Sequence, residues 1–257
     1  MKLIKSAVVI SALFNAVLST TSLADTAEHA VIPELKTSVS SELALDSVMT
    51  DKNNALIDTG LENTDENTVD KVDNSKLELM ATLAKIEFFS AEFTQQIFDE
   101  AGNELQQGSG LLSVSKPNLV NWQTVLPDES LIVSDGSNLW FYDPFVEQVS
   151  VYSLESAIAN TPILLITSND DKLWQDYTVV KLTDDRYLIS AIDVNARVKS
   201  LELSFTNRNN NVELAAFNIL DATGQLSVIT LTHNYKEPDA SLFTFSVPEG
   251  VYLDDQR

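Results

Sequence analysis

Asn118–Gln148 reads NLVNWQTVLPDESLIVSDGSNLWFYDPFVEQ. Apolar and polar residues alternate over short runs, the period of a half-buried strand. The runs are Leu119–Thr124, Leu131–Ser134 and Leu139–Tyr142, and a fourth starts at Val146. Pro127-Asp128, Asp135-Gly136 and Asp143-Pro144 cut between them as tight turns. Such short spacers connect antiparallel neighbours; a parallel pair needs a crossover of a dozen residues or more. The stretch is therefore a β-meander. It contains no nucleophile pattern, metal set or phosphate loop.

The same reading extends in both directions. Upstream, Phe89–Phe98 and Leu105–Val114 read as strands; downstream, Val146–Tyr152 completes a first set. Leu154–Ala159 and Pro162–Ile166 read as short helices, with Pro162 at a first-turn position and the second continuing through Leu173-Trp174. A second strand set follows at Tyr177–Leu182, Tyr187–Ile192, Leu201–Phe205, Val212–Leu220 and Leu226–His233, with a last short strand at Leu242–Ser246. Ahead of all these, Lys76–Phe88 places Leu77, Met80, Ala81, Ala84 and Phe88 at helical spacing. No βαβ alternation appears. The expected fold is mainly β (α+β): about eleven antiparallel strands in one long sheet that curls into an open, incomplete barrel, with short helices as a lid over its inner face. Two packed sheets are the rival arrangement.

Three segments differ in composition. Lys2 and Lys5 precede an apolar run, Ala7–Leu18, too short to span a bilayer, and Ser22-Leu23-Ala24 offers a small-residue cleavage site. Residues 1–24 are read as a signal peptide cleaved after Ala24. Residues 25–75 hold twelve Asp and Glu against three Lys and no aromatic residue, the signature of a disordered acidic linker. Residues 76–257 form one domain of ordinary size. Loss of Lys2 and Lys5 takes the formal charge from −22 to −24. Such a chain repels nucleic acid and anionic headgroups. The chain has no cysteine, hence no disulfide framework and no lipidated cysteine of its own.

Catalytic chemistry is sparse. His29 lies in the acidic linker and His233 at a strand end. Ser134 and Asp135 lack the surroundings of a nucleophile elbow and read as a hairpin turn with Gly136. Two histidines without cysteine do not make a usual structural zinc site. Asp170-Asp171 and Asp184-Asp185 lack the alternating ligands and glycine of a calcium loop. No enzyme activity, metal or cofactor is expected. Apolar residues, by contrast, recur on alternate strand positions. Val120 and Trp122 share one face, Leu139 and Phe141 share another, and Trp140 and Tyr142 oppose the latter pair. Periodicity by itself does not separate a packed core from a ligand cavity.

A set of motifs spans nearly all of residues 76–257. Phe93-Thr94-Gln95-Gln96 follows the first helix. Gly108-x-Gly110 leads to Pro117-Asn118-x-x-Asn121-Trp122. Pro127-Asp128-Glu129-Ser130, Val133-Ser134-Asp135-Gly136 and Leu139-Trp140-Phe141-Tyr142-x-Pro144-Phe145-Val146-Glu147-Gln148 come next. Asn160-Thr161-Pro162, Phe243-Thr244-Phe245 and Asp254-Asp255-Gln256-Arg257 complete the set. The chain thereby resembles the outer-membrane lipoprotein carrier family, LolA.

The resemblance implies an open β-barrel whose helical lid encloses an apolar cavity for lipoprotein acyl chains. It implies a monomeric periplasmic carrier that takes lipoproteins from an inner-membrane ABC transporter and delivers them to an outer-membrane receptor lipoprotein. A carrier of another lipid or apolar metabolite on the same scaffold is the rival function. The acyl-chain site is expected at Phe89, Phe93, Leu112, Val114, Val120, Trp122 and Trp140 on strands, and at Ile163, Leu164 and Ile166 on the lid. A three-chain anchor has roughly 45 methylenes worth about 0.8 kcal/mol each on leaving water, about 36 kcal/mol in all. Reversible affinities end near roughly 20 kcal/mol, so a releasable cargo is shielded only in part. Two positions depart from the family pattern. Lys116 stands where the family has an Arg that latches the lid, and it lacks the planar donor fork. Val120 stands where the family has a Phe near the cavity mouth.

Overall fold

In Phe88–Phe98 (β1), Phe89, Ala91, Phe93 and Ile97 are buried while Phe88, Glu92, Thr94 and Gln96 are exposed. That alternation marks a strand with one face covered. The computed structural model describes residues 66–158, 162–168, 170–208 and 211–257. The expected signal peptide, and the expected linker as far as residue 65, lie outside the described residues.

β1 is followed by Glu104–Ser115 (β2), Leu119–Leu126 (β3), Ser130–Asp135 (β4), Asn138–Asp143 (β5) and Gln148–Ser153 (β6). After the lid come Tyr177–Thr183 (β7), Arg186–Ala191 (β8), Val198–Arg208 (β9), Asn211–Asp221 (β10) and Leu226–His233 (β11), and finally Tyr252–Asp255 (β12). All twelve strands form one sheet in the order β12-β6-β5-β4-β3-β2-β1-β11-β10-β9-β8-β7. Two meanders, β1–β6 and β11–β7, thus meet where β1 pairs with β11 over Ala91–Phe98. The sheet is not closed: β12 and β7 are its edges.

The eleven expected antiparallel strands are present, but the expected strand at Leu242–Ser246 is not. Ala240–Phe243 is a 3-10 turn capped by the Asp239 carboxylate, which accepts from Ser241 N–H at 2.9 Å. The segment uses its apolar residues elsewhere. Phe243 is buried, Phe245 lies 5.5 Å from the Trp140 ring centroid, and Asn121 donates to the Leu242 carbonyl. The twelfth strand is β12, which pairs in parallel with β6.

Among the described residues the first helix is Glu66–Leu83 (α1), not Lys76–Phe88. It starts inside the segment read as linker and ends in a tightened turn, with Lys85 N–H on the Thr82 carbonyl and Ile86 N–H on the Leu83 carbonyl. The buried stripe is Ser75, Leu79, Leu83 and Ile86; the expected stripe is wrong, since Leu77 is 65% exposed. The lid helices are Leu154–Ile158 (α2) and Pro162–Thr167 (α3), followed by a 3-10 turn at Asp171–Asp176.

Candidate functional site

One face of the sheet points at the helices. Strand pairing fixes which residues share it. Phe93 opposes Gly110 on one side and Leu231 on the other; Leu112 opposes Trp122, and Trp122 opposes Ile132. Across the seam, Ile229 opposes Phe217 and Phe217 opposes Leu203. These residues, with Leu79 and Leu83 of α1 and Leu164, Leu165 and Ile166 of α3, belong to one contiguous apolar cluster. Glycine at position 110 makes the packing possible. A Cβ there would stand 1.9 Å from the Gln123 carbonyl oxygen and 2.8 Å from the Phe93 ring. The Phe93 ring instead tilts against Trp122 at 5.0 Å, and Trp122 meets Phe217 edge-on at 5.8 Å.

The helices are fastened at one end of the half-barrel by the loop between β2 and β3. The Lys116 ammonium donates to the Leu83 carbonyl at the end of α1, 2.6 Å away. Asn118 N–H donates to the Thr167 carbonyl at the end of α3, 3.2 Å away. The Ser134 hydroxyl in turn donates to the Asn118 carbonyl. Asn118 has φ +61°, a left-handed conformation that asparagine tolerates better than most residues. The last carbonyls of a helix lack intrahelical donors; the Leu83 carbonyl accepts from both Ile86 N–H and the Lys116 ammonium, and the Thr167 carbonyl accepts from Asn118 N–H. Burial pushes Lys116 down to about 8. Further back along α1, Lys76 donates its ammonium to the Trp174 carbonyl at 3.0 Å, and Glu78 pairs with Lys181 of β7 at 3.0 Å.

Phe89, Phe93, Leu112, Val114, Val120 and Trp122 lie together on this inner face, and Leu164 and Ile166 join them from the lid. The side chain of Ile163 lies outside the described residues. Trp140 does not belong with them. It opposes Val133 and Val151 on the outer face, where its indole N–H donates to Asp135 at 2.8 Å and Arg257 lies over its ring. Its neighbours Leu139 and Phe141 are the inward pair. Lys116 holds the end of α1 rather than the α2–α3 lid, and it is half-buried rather than a free surface lysine. The sequence reading left out the wall supplied by the second meander, among it Phe217, Leu203, Phe205 and Leu231. The alternation of Leu201, Leu203 and Phe205 was the available signal.

The remaining polar groups read as structure. Asp135 turns the Ser134-Asp135-Gly136 hairpin, its carboxylate accepting from the N–H groups of Ser137 and Asn138. His233 packs against Phe89 and meets the Leu214 carbonyl at 2.7 Å. Among the described residues, no group of three or more His, Cys, Asp or Glu is placed to hold a metal ion.

A family model described as outer membrane lipoprotein carrier protein LolA matches residues 84–246. The outer-membrane lipoprotein carrier protein of Aeromonas salmonicida is 42% identical over 181 residues, which is 70% of this chain and 88% of that protein. The protein of the same description from Shewanella loihica is 43% identical over 177 residues, 68% of this chain and 83% of its own length. Among solved structures, a LolA superfamily protein from Nitrosomonas europaea superposes with a TM-score of 0.43 at 14% identity, covering 66% of this chain and 98% of that one.

Proposed function

The chain belongs to the LolA family of outer-membrane lipoprotein carrier proteins, and from that membership we propose that it binds lipoprotein acyl chains against the inner face of its half-barrel and carries them through the periplasm. The observation that carries this reading is the continuous apolar face running from β6 across the seam to β7, roofed by helices that polar contacts pin at their ends.

The energetics fit a lid that opens for cargo alone. Lifting α3 exposes Leu164, Leu165 and Ile166, now 0–4% exposed. At about 1.5–3 kcal/mol for each side chain, that costs roughly 5–9 kcal/mol. An empty carrier therefore stays shut. Acyl chains that gain about 0.8 kcal/mol per buried methylene offset the cost with a dozen carbons. The cargo takes the place of the lid side chains against Phe93, Trp122 and their neighbours. The chain itself does no bond-making chemistry in this scheme.

In the same scheme an inner-membrane ABC transporter loads the carrier and an outer-membrane receptor unloads it. A signal peptide at 1–24 directs export, the working form is a monomer, and the acidic segment ahead of α1 is dispensable. Membrane vesicles bearing a radiolabelled outer-membrane lipoprotein test the reading. Added protein, either the full chain or one beginning at Asp65, should release the lipoprotein as a soluble one-to-one complex. Lipoprotein that stays in the membrane with both proteins folded would overturn the assignment; release by the full chain alone would overturn the dispensability of the acidic segment.

A further inference from the structure

The inner face changes character at the end remote from the Lys116 loop. Along β1 its inward residues are Phe89, Ala91, Phe93, Gln95 and Ile97. Ile97 is flanked in register by Ser227 on β11 and Gln106 on β2. Gln95 sits one step nearer the middle, opposite Gly108, with its Oε1 3.7 Å from where a Cβ would stand. Ser227 is 1% exposed, yet its hydroxyl has no hydrogen-bond partner among the described residues; nor has Gln106 Nε2, also buried.

Leaving a buried donor unpaired costs free energy, and an apolar residue of similar size avoids the cost. Neighbouring positions on the same face, Ile219 and Ile229, are apolar. An amide N–H and a hydroxyl, left over on either side of one strand, suit an oxygen acceptor. The span from Phe89 to Ile97 is about 27 Å at roughly 3.4 Å per residue, long enough for an extended acyl chain with its head at the polar end.

We propose that Gln106 and Ser227 form a carbonyl-binding station, donating to the ester oxygens of an acylglycerol whose chains lie along the inner face toward the Lys116 loop. The assignment rests on the acyl-carrier reading and adds to it a recognition of the ester head group.

Ester and ether lipids separate the two levels. A peptide with an S-diacylglyceryl cysteine and its dialkyl ether analogue carry equal chains, and the ether lacks the carbonyls. Each is titrated against a bound fluorescent fatty-acyl probe. The native protein should prefer the ester by about ten-fold, the effect of two neutral hydrogen bonds. Gln106→Leu and Ser227→Ala should each cut the preference to about three-fold and the double variant should erase it, all without weakening the ether. Equal binding of ester and ether by the native protein would overturn the station and leave the carrier reading standing. Failure of both lipids to displace the probe would overturn the carrier reading, and the station with it. A diester and diether phosphatidylethanolamine pair distinguishes the source: ester preference there as well assigns the station to any acylglycerol, and preference in the lipopeptide alone assigns it to the lipoprotein anchor. Thermal melting of empty Ser227→Ala supplies a readout free of lipid. An unchanged or higher Tm supports an unpaired hydroxyl, and a fall of several degrees overturns it.

Discussion

Replacing Lys116 with methionine keeps a long apolar stem and removes the ammonium that holds the end of α1. The variant loses a charged hydrogen bond to the Leu83 carbonyl, worth about 2–3 kcal/mol. It loses a favourable charge at a helix C-terminus, worth about 0.5 kcal/mol. It gains relief from burying a cation. Burial lowers Lys116 from 10.5 to about 8, which at full value is roughly 3 kcal/mol and, for a half-buried side chain in contact with water, about 1–2 kcal/mol. The net loss at pH 7 is about 1–2 kcal/mol, a fall of about 3–6 °C in Tm for a domain of this size. The pH dependence has a definite sign. The folded-state value lies below the unfolded one, so the burial penalty is complete below pH 8 and fades as pH rises to 10.5. The neutral amine still donates to Leu83. Native protein therefore gains on the variant by about 1 kcal/mol between pH 8 and 10.5. Calorimetric melts of both proteins at pH 7 and 10.5 measure the two gaps, and groups common to both cancel. Equal Tm values at pH 7 would mean a solvated surface lysine, and a gap that narrows with pH would refute the buried pin.

Three further outcomes follow from the packing. Leu164→Glu puts a carboxylate without a partner under α3; the lid should come free, far-UV circular dichroism should keep its β signal, Tm should fall by a few degrees, and lipoprotein release should be lost. Loss of the β signal would show that lid and sheet do not separate. Gly110→Ala forces a Cβ to within 1.9 Å of the Gln123 carbonyl, so β2 and β3 part and a urea melt should lose about 3 kcal/mol or more; an unchanged midpoint contradicts the close approach. At Asp135, burial raises the pKa but is outweighed by hydrogen bonds from Trp140, Asn138 and Ser137, so the net shift is downward. Its stabilisation is present above the ordinary carboxylate range and is lost as pH falls through the lowered value. Fluorescence of Trp140 should step in that acid window in the native protein and not in Asp135→Asn, whose amide oxygen still accepts the indole N–H without titrating.

Local pattern was enough for the strands, because alternation and turn residues are both short-range signals. It was enough for Val120 and Trp122, which share one strand face opposite Leu119 and the polar Asn121 and are the buried pair. Where two apolar stripes compete, pattern fails. In α1, the stripe of Leu77 and Ala81 and the stripe of Leu79 and Leu83 both have helical spacing, and the tertiary contact with the sheet selects the second. The expectation for Trp140 at the acyl site comes with the family resemblance, while alternation sets Trp140 opposite Leu139. The cover that makes an outward tryptophan tolerable is Phe245, about a hundred residues away. β12 was not legible at all. Tyr252–Asp255 carries two carboxylates and no alternation, and it is a strand because β6 offers an edge. The sequence identified position 116 but not its mate, since a backbone carbonyl leaves no trace in side-chain pattern.

The order of strands also says where this molecule can be cut. β6 and β7 are joined through the lid, yet they lie near opposite margins of the sheet. The lid segment is thus a strap across the mouth. Each meander is complete without it, since every hairpin partner of β1–β6 lies before the strap and every hairpin partner of β7–β11 lies after it. A chain nicked in the strap keeps eight residue pairs between β1 and β11 and the grip of α1 on β7. Two separately made fragments have the complementary edges needed to find each other. The same cut removes the covalent tie between β6 and β7 and leaves β12 on β6 and α1 on β7, so a split protein would keep its two margins clasped by contacts alone and would trade a hinged door for a pair of clasps.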